Sequence, residues 1–291
     1  MTQLLLLTLG GLRIGAIYAL AAIGLVMIHK ATKTVNFAQG AFIMLGAYGA
    51  YLCLSAWHIP YGLAYIIVPI GTGLIASAIE YVVLRRLREA DAFTGVITTV
   101  FAAIVISECI SIVFESETLT VPPVFAGAPW IVGPLILTRE TLWIIAGAIL
   151  CGLAGLYLFS RAGIGRAMRA MSASIRGAQL CGYSVDRVYA QAWFLGGVLA
   201  GLAGIFAAPR LGVSPDLATV MIVPAFVAAI IGGFDSLSGA ILGGLILGLL
   251  ETYTAAFLPV AFKNAFTFVL LLGVLLWMPD GLFPERKSRR V

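Results

Sequence analysis

The sequence predicts an all-α protein, a polytopic transmembrane helical bundle of about eight or nine spans. Of its 291 residues, 61% are hydrophobic and only 11% are charged, whereas soluble domains carry roughly a quarter charged residues. Several apolar stretches exceed the roughly 18 residues that cross a bilayer as a helix. We therefore expect residues 1–291 to form one transmembrane domain.

Nine apolar segments, separated by charged or turn-forming residues, are candidate spans. They cover residues 5–28, 37–56, 61–84, 93–114, 141–159, 188–208, 219–234, 238–257 and 263–279. The first is interrupted by Arg13, which we expect to point outward along its helix, and the seventh is short. If either lies on the surface or is re-entrant, eight crossings result. The stretches AFIMLGAYGAYL and AILGGLILGLLE resemble each other loosely, as a weak internal repeat would.

The positive-inside rule orients the chain. Basic residues cluster after the third span, in residues 160–187 and in the tail ERKSRRV, all on one side of the predicted bundle. The loop at approximately 115–140 lies on the other side and carries Glu115, Glu117 and four prolines, which predicts a non-helical cap. We expect a periplasmic N-terminus and a cytoplasmic C-terminus. The net charge of +5 then reflects topology and membrane lipid rather than nucleic acid as a partner.

The sequence contains no motif for chemistry on a soluble substrate. It has no GxxxxGK[ST] phosphate loop, no His/Cys cluster with metal-ligand spacing and no GxSxG nucleophile motif. We expect no catalytic residue, no metal and no cofactor in this chain, and therefore no enzyme. Transport is the favoured function, and if ATP drives it, a separate chain must bind the nucleotide.

Polar residues inside predicted spans are costly and mostly face a bundle interior or a water-filled pathway. Asn36 is expected to cap a helix that starts at Phe37, and the segment Asn36–Gly40, with Gln39, also suits a helix start recessed into the bundle. Glu108 and Glu251 are either structural carboxylates held by neighbouring helices or the polar lining of a conduit or proton relay. Glu80 is expected to pair with Arg85 or another arginine of the loops.

The segment at approximately 160–187, SRAGIGRAMRAMSASIRGAQLCGYSVDR, is too interrupted to span a membrane. As one helix it would place Met168, Met171, Ile175 and Ala178 on one face. Such a helix either lies on anionic lipid or docks its apolar ridge into a groove of a cytoplasmic protein. The length of the segment and its Gly/Ser punctuation favour docking.

Several stretches together resemble one family across nearly the whole chain and in the same order. They are GAIYALAAIGLVMI, VNFAQGAFIMLGAY, the 160–187 segment, GVLAGLAGIF, AFVAAIIGGFDSLSGAILGGLILGLLE and MPDGLF. They look like the permease subunits of branched-chain amino acid ABC importers of bacteria and archaea, and more like the shorter than the longer permease paralogue. Two residues depart from that family: Gln39 stands where a histidine is frequent, and Glu108 where a neutral amide is common.

The resemblance implies a machine with several subunits in the bacterial inner membrane. This chain would pair with a second homologous permease, two cytoplasmic ATPase subunits that bind ATP and Mg, and a periplasmic substrate-binding protein. Residues of the 160–187 segment would couple it to the ATPases: Arg166, Arg169, Met171, Ile175, Ala178 and Gly182. The family's usual acidic residue before the alanines is absent here, where Arg176 and Gln179 stand instead.

The expected function is alternating access for branched-chain or other hydrophobic amino acids, with a pathway past Asn36, Gln39, Gly40, Glu108 and Glu251. One alternative is a proton-coupled secondary transporter in which Glu108 and Glu251 titrate. Another is the same class of importer carrying amides, urea or small carboxylates. The sequence does not identify the cargo.

Overall fold

The computed structural model describes residues 2–88, 90–114, 117–125, 130–132, 135–259 and 261–283. Within these ranges it is a helical bundle with one small antiparallel pair of strands, β1 (Trp130–Val132) and β2 (Leu135–Leu137). The helices are α1 (Thr2–Thr32), α2 (Gln39–Tyr51), α3 (Tyr61–Val82), α4 (Ala92–Phe114), α5 (Arg139–Arg161), α6 (Gly163–Ala173), α7 (Ile175–Leu180), α8 (Val185–Leu211), α9 (Leu217–Gly232), α10 (Leu237–Phe257) and α11 (Ala261–Trp277).

Each of the nine predicted spans coincides with a helix, which confirms the polytopic helical bundle. A π-helical turn, Leu52–Ala56, continues α2 without a break. With α2 extended in this way, seven helices in the described part of the chain are long and apolar enough to cross a membrane, whereas α9 and α11 are shorter. The first span is not a surface segment, because α1 is continuous and largely buried. Its Arg13 does not simply point outward: Nη1 donates a hydrogen bond to Thr141 Oγ1 of α5 at 3.1 Å.

One end of the bundle, here called the basic face, collects Lys33, Arg85, Arg88 and the short helices α6 and α7. Glu80 is buried at this end and pairs with Arg88, one of the loop arginines, and Arg88 also pairs with Asp186 at the start of α8. Burial opposes the charge of Arg88, but the hydrogen bonds and charges of Glu80 and Asp186 outweigh it and raise the pKa of the guanidinium. These ion pairs tie the end of α3 to the beginning of α8.

The opposite end of the bundle carries the segment before α5. Leu119 pairs with Val213 in an isolated antiparallel bridge, and Ser55 Oγ donates to the carbonyl of Thr120 at 3.5 Å. The described parts of residues 117–138 are free of α-helix. Glu115 lies outside the described residues.

Close helix packing in the core depends on glycine. A Cβ on Gly248 of α10 would lie 2.3 Å from the Cα of Gly15 on α1, and one on Gly204 of α8 would lie 2.1 Å from the carbonyl oxygen of Ile43 on α2. Small residues allow such approach in lipid, where apolar surface gives helices no net drive to associate.

The bundle contains two halves of opposite orientation, α1–α4 and α8–α11. In each half a long helix (α1 or α8) is followed by a non-helical segment, a short helix (α2 or α9) and a further helix (α3 or α10). That further helix packs along the long helix of the other half, so that α3 lies on α8 and α10 lies on α1. The sequences GLIASAIEY (73–81) and GLILGLLET (244–252) match between α3 and α10. Inverted repeats of this kind recur in transporter folds. The internal similarity predicted between 41–52 and 240–251 would relate α2 to α10, whereas the order of the elements relates α2 to α9 and α3 to α10.

Candidate functional site

The second helix begins deep inside the bundle. Gln39 Nε2 donates to the carbonyl oxygens of Ala21 on α1, at 3.2 Å, and Gly196 on α8, at 3.5 Å. Gly196 lies 11 residues after Val185, the first residue of α8, which corresponds to about 16 Å along the helix at 1.5 Å per residue. The segment before α2 therefore dips into the bundle from the basic face, as the amide-containing stretch predicts.

Asn36 and Gln39 shape this recessed start and are fully buried, both with 0% exposure. Asn36 Oδ1 accepts the backbone N–H of Ala38 at 2.9 Å, and its Nδ2 donates to Gln39 Oε1 at 3.3 Å. The helix begins at Gln39 rather than Phe37, because Asn36 closes a turn over Ala38 before the helix starts. Both side chains are hydrogen-bonded to other groups of the protein, and they stabilise the start of α2 in the interior of the bundle.

The start of α9 lies next to the start of α2. A Cβ on Gly40 would lie 2.1 Å from the carbonyl oxygen of Ala218, in the first turn of α9. The non-helical segment before α9 enters from the opposite end and includes the fully buried Val213. The N-termini of α2 and α9 are thus adjacent in the interior, which explains why α9 is short.

A cavity of about 360 Å³ opens where these two helix starts face α4. Its apolar wall includes Phe37, Ala41, Ile104 and Ile222. Its polar wall consists of Ser107, Glu108, Ser111, Asp216 and Thr219. The structure therefore places Glu108 on the cavity, whereas Gly40 backs the wall between the two helices.

Sequence reasoning missed Asp216 and Thr219. Asp216 immediately precedes α9, and an aspartate before an apolar run is a common helix-start signal. Its place in the cavity follows from the recessed start of α9, which only the tertiary structure reveals.

Glu251 faces a different cavity, of about 250 Å³, between α1, α9, α10 and α11. The carboxylate is buried and accepts hydrogen bonds from Tyr18 Oη at 2.8 Å and Thr267 Oγ1 at 3.1 Å. Thr219 lines both cavities. The structure thus separates Glu251 from Glu108 by the first turn of α9 rather than bringing the two carboxylates together.

The 160–187 segment is two helices rather than one. Ser174 adopts an extended backbone (φ −165°, ψ 116°) that ends α6, and its Oγ accepts the N–H of Gly177 at the start of α7. Arg169, half-buried, donates to the carbonyl of Phe159.

Three of the four residues of the predicted apolar ridge point inward, which corrects the prediction that the ridge faces outward. Met168, Met171 and Ala178 are buried in the core, because α6 packs against α1, α5 and α8. Of the predicted coupling residues, Arg166 and Ile175 have exposed side chains, and Gly182 is exposed with φ +84°. Leu180 is 85% exposed and was not singled out from the sequence.

Comparison with known proteins agrees with this architecture. Residues 7–275 match the family model described as "Branched-chain amino acid transport system / permease component". The chain is 31% identical to the high-affinity branched-chain amino acid transport system permease protein LivH of Salmonella typhimurium, over 97% of this chain and 96% of LivH. It is 28% identical to the permease protein BraD of Pseudomonas aeruginosa, with the same coverage.

A similar relative occurs in an archaeon, the probable branched-chain amino acid transport permease LivH of Methanocaldococcus jannaschii, at 29% identity over 90% of this chain and 87% of that protein. No solved structure matches the chain significantly. The family match spans the recessed helix starts, the cavity and the two-helix segment on the basic face. This chain belongs to the family of branched-chain amino acid transport permeases.

Proposed function

We propose that this chain is a permease subunit of an ATP-driven importer and forms, with a second homologous permease, the conduit for branched-chain or other hydrophobic amino acids. Two ATPase subunits on the cytoplasmic side and a periplasmic binding protein complete the machine. The family membership supports the general role. The cavity at the paired helix starts is the observation that carries the proposal for this chain.

The cavity offers the two kinds of surface that such a cargo needs. Phe37, Ile104 and Ile222 suit an aliphatic side chain. Glu108 and Asp216 suit an ammonium group, and the N-termini of α2 and α9 direct the positive ends of their helix dipoles to the interior, where a carboxylate is favoured. These few polar contacts would orient the cargo without holding it tightly, as a conduit requires.

The basic face is assigned to the cytoplasm by the positive-inside rule, so the N-terminus is periplasmic and the C-terminus cytoplasmic in the inner membrane. The exposed residues of α6 and α7 then face the ATPase. The ion pairs of Glu80, Arg88 and Asp186 connect the end of this segment to α3, so that movement of the segment reaches the bundle.

Filling the cavity should stop transport without unfolding the protein. Thr219→Trp places an indole in the cavity at an already exposed position, and we expect uptake of leucine by the assembled transporter to fall at least about tenfold because the conduit is obstructed. Leu150→Trp, on a 69% exposed position of α5, is the matched control and should transport normally.

The measurement is uptake of labelled leucine, with unlabelled amides, urea and small carboxylates as competitors. Competition by aliphatic amino acids alone supports the proposed cargo. Normal uptake in Thr219→Trp, with the same thermal stability as the parent chain, would place the conduit elsewhere.

A further inference from the structure

A continuous series of aromatic rings leads from the cavity to the basic face. Phe37 stacks on Phe226 of α9, with ring centroids 5.1 Å apart and an interplanar angle of 22°. Phe226 contacts Phe234 at 5.3 Å, and Phe234 meets the edge of His29 at 4.7 Å and 83°. The rings of this aromatic layer come from the end of α1, the segment before α2, α9 and the turn before α10.

The layer lies between the cavity and the basic face. Phe37 is itself part of the cavity wall, whereas Phe234 is followed by Asp235, whose carboxylate lies 3.9 Å from Lys33 Nζ at the exposed end of α1. A molecule passing from the cavity to the basic face along α2 and α9 meets these rings on its way.

The innermost ring, Phe37, is hydrogen-bonded through its backbone to α4, a helix that has little contact with the rest of the bundle. The backbone N–H of Phe37 donates to Thr99 Oγ1 of α4 at 3.1 Å, and that hydroxyl in turn donates to the carbonyl of Val96 within α4 at 2.8 Å. Since α4 makes few contacts with the other helices, its movement can carry Phe37 away from Phe226 without dismantling the core.

We propose that the aromatic layer of Phe37, Phe226, Phe234 and His29 is the inner gate of the conduit. It is closed in this structure, and the cavity lies on the side of the layer away from the basic face. The packed phenyl rings exclude water and so block polar cargo until they separate. The inference rests on the proposed function only in taking the 360 Å³ cavity as the conduit.

The gate is tested by the sidedness of thiol labelling. Ser107→Cys introduces a near-isosteric reporter into the cavity wall, in a chain whose four native cysteines are replaced by serine or alanine. The full chain, in membrane vesicles of either orientation, is treated with a membrane-impermeant maleimide. With the rings intact, we expect labelling of the reporter only from the face opposite the basic one.

Removing the rings should open the second route. In Phe37→Ala/Phe226→Ala, labelling from the basic face should rise at least about tenfold, because the water-excluding layer is lost. Phe226→Leu, which keeps apolar volume in α9, should give a smaller rise. Phe257→Ala removes an exposed ring of the stacked Tyr253–Phe257 pair and should leave labelling one-sided.

Labelling from both faces in the parent chain would overturn the gate, as would unchanged one-sided labelling in both ring variants when their melting temperatures match the parent. The assay needs no ATP, binding protein or cargo. If the proposed cargo or energy source is wrong, leucine uptake fails but labelling of the reporter stays one-sided. Failure of the proposed function can therefore be distinguished from failure of the gate.

Discussion

Replacing Leu180 with aspartate is expected to abolish ATP-driven uptake while leaving the helix bundle folded. The side chain is 85% exposed at the end of α7, on the basic face, so a charge there costs the folded chain little. In the proposed complex α7 docks on the ATPase, and an unpaired carboxylate buried in that contact would cost several kcal/mol. Uptake in proteoliposomes and co-purification of the ATPase measure the effect.

A buried position in the same segment provides a control that separates loss of stability from loss of ATPase docking. Met168→Asp puts a charge at a side chain with 0% exposure, so this variant should lose stability rather than coupling. Full uptake and normal ATPase retention in Leu180→Asp would show that α7 does not form the docking surface.

Replacing Gly248 with alanine is expected to destabilise the bundle strongly. The added methyl group would lie 2.3 Å from both the Cα and the backbone N of Gly15, and backbone atoms cannot move aside as a flexible side chain can. Overpacking of a close-packed core typically costs about 1–3 kcal/mol. The melting temperature in detergent measures the loss.

Gly71→Ala is the matched control on α3. Apart from the adjacent backbone of its own helix, a Cβ at Gly71 has no atom within 4 Å among the described residues, and alanine is intrinsically better than glycine in a helix interior by about 1 kcal/mol. This variant should therefore melt at the same temperature as the parent or above it. Equal destabilisation of both variants would contradict the close packing of α1 on α10.

The spans could be predicted from the sequence because a long, apolar and uncharged segment is stable in few conformations other than a membrane-spanning helix. The amides of Asn36 and Gln39 similarly indicated a recessed helix start, since such groups rarely occur at a span's edge without bonding the backbone. These signals are local in sequence.

The arrangement of the functional residues could not be predicted in the same way. An apolar ridge such as Met168, Met171 and Ala178 can pack either into the bundle or against an external partner, and the sequence is the same in both cases. Only the packing of α6 on three other helices shows that the ridge faces inward. The cavity depends on Gly40 and Ala218, which are distant in sequence. Glu108 and Glu251 were grouped because both are acids within spans, and α9 separates them.

The central claim is that this permease works in an ATP-driven complex, and reconstitution tests it most directly. The tagged chain would be purified in mild detergent with its associated proteins, identified by intact mass and placed in proteoliposomes with labelled leucine. We predict a second permease and an ATPase in the preparation, with uptake that requires ATP and is insensitive to a protonophore. A homo-oligomer without an ATPase, whose uptake follows a pH gradient in the absence of ATP, would contradict the account.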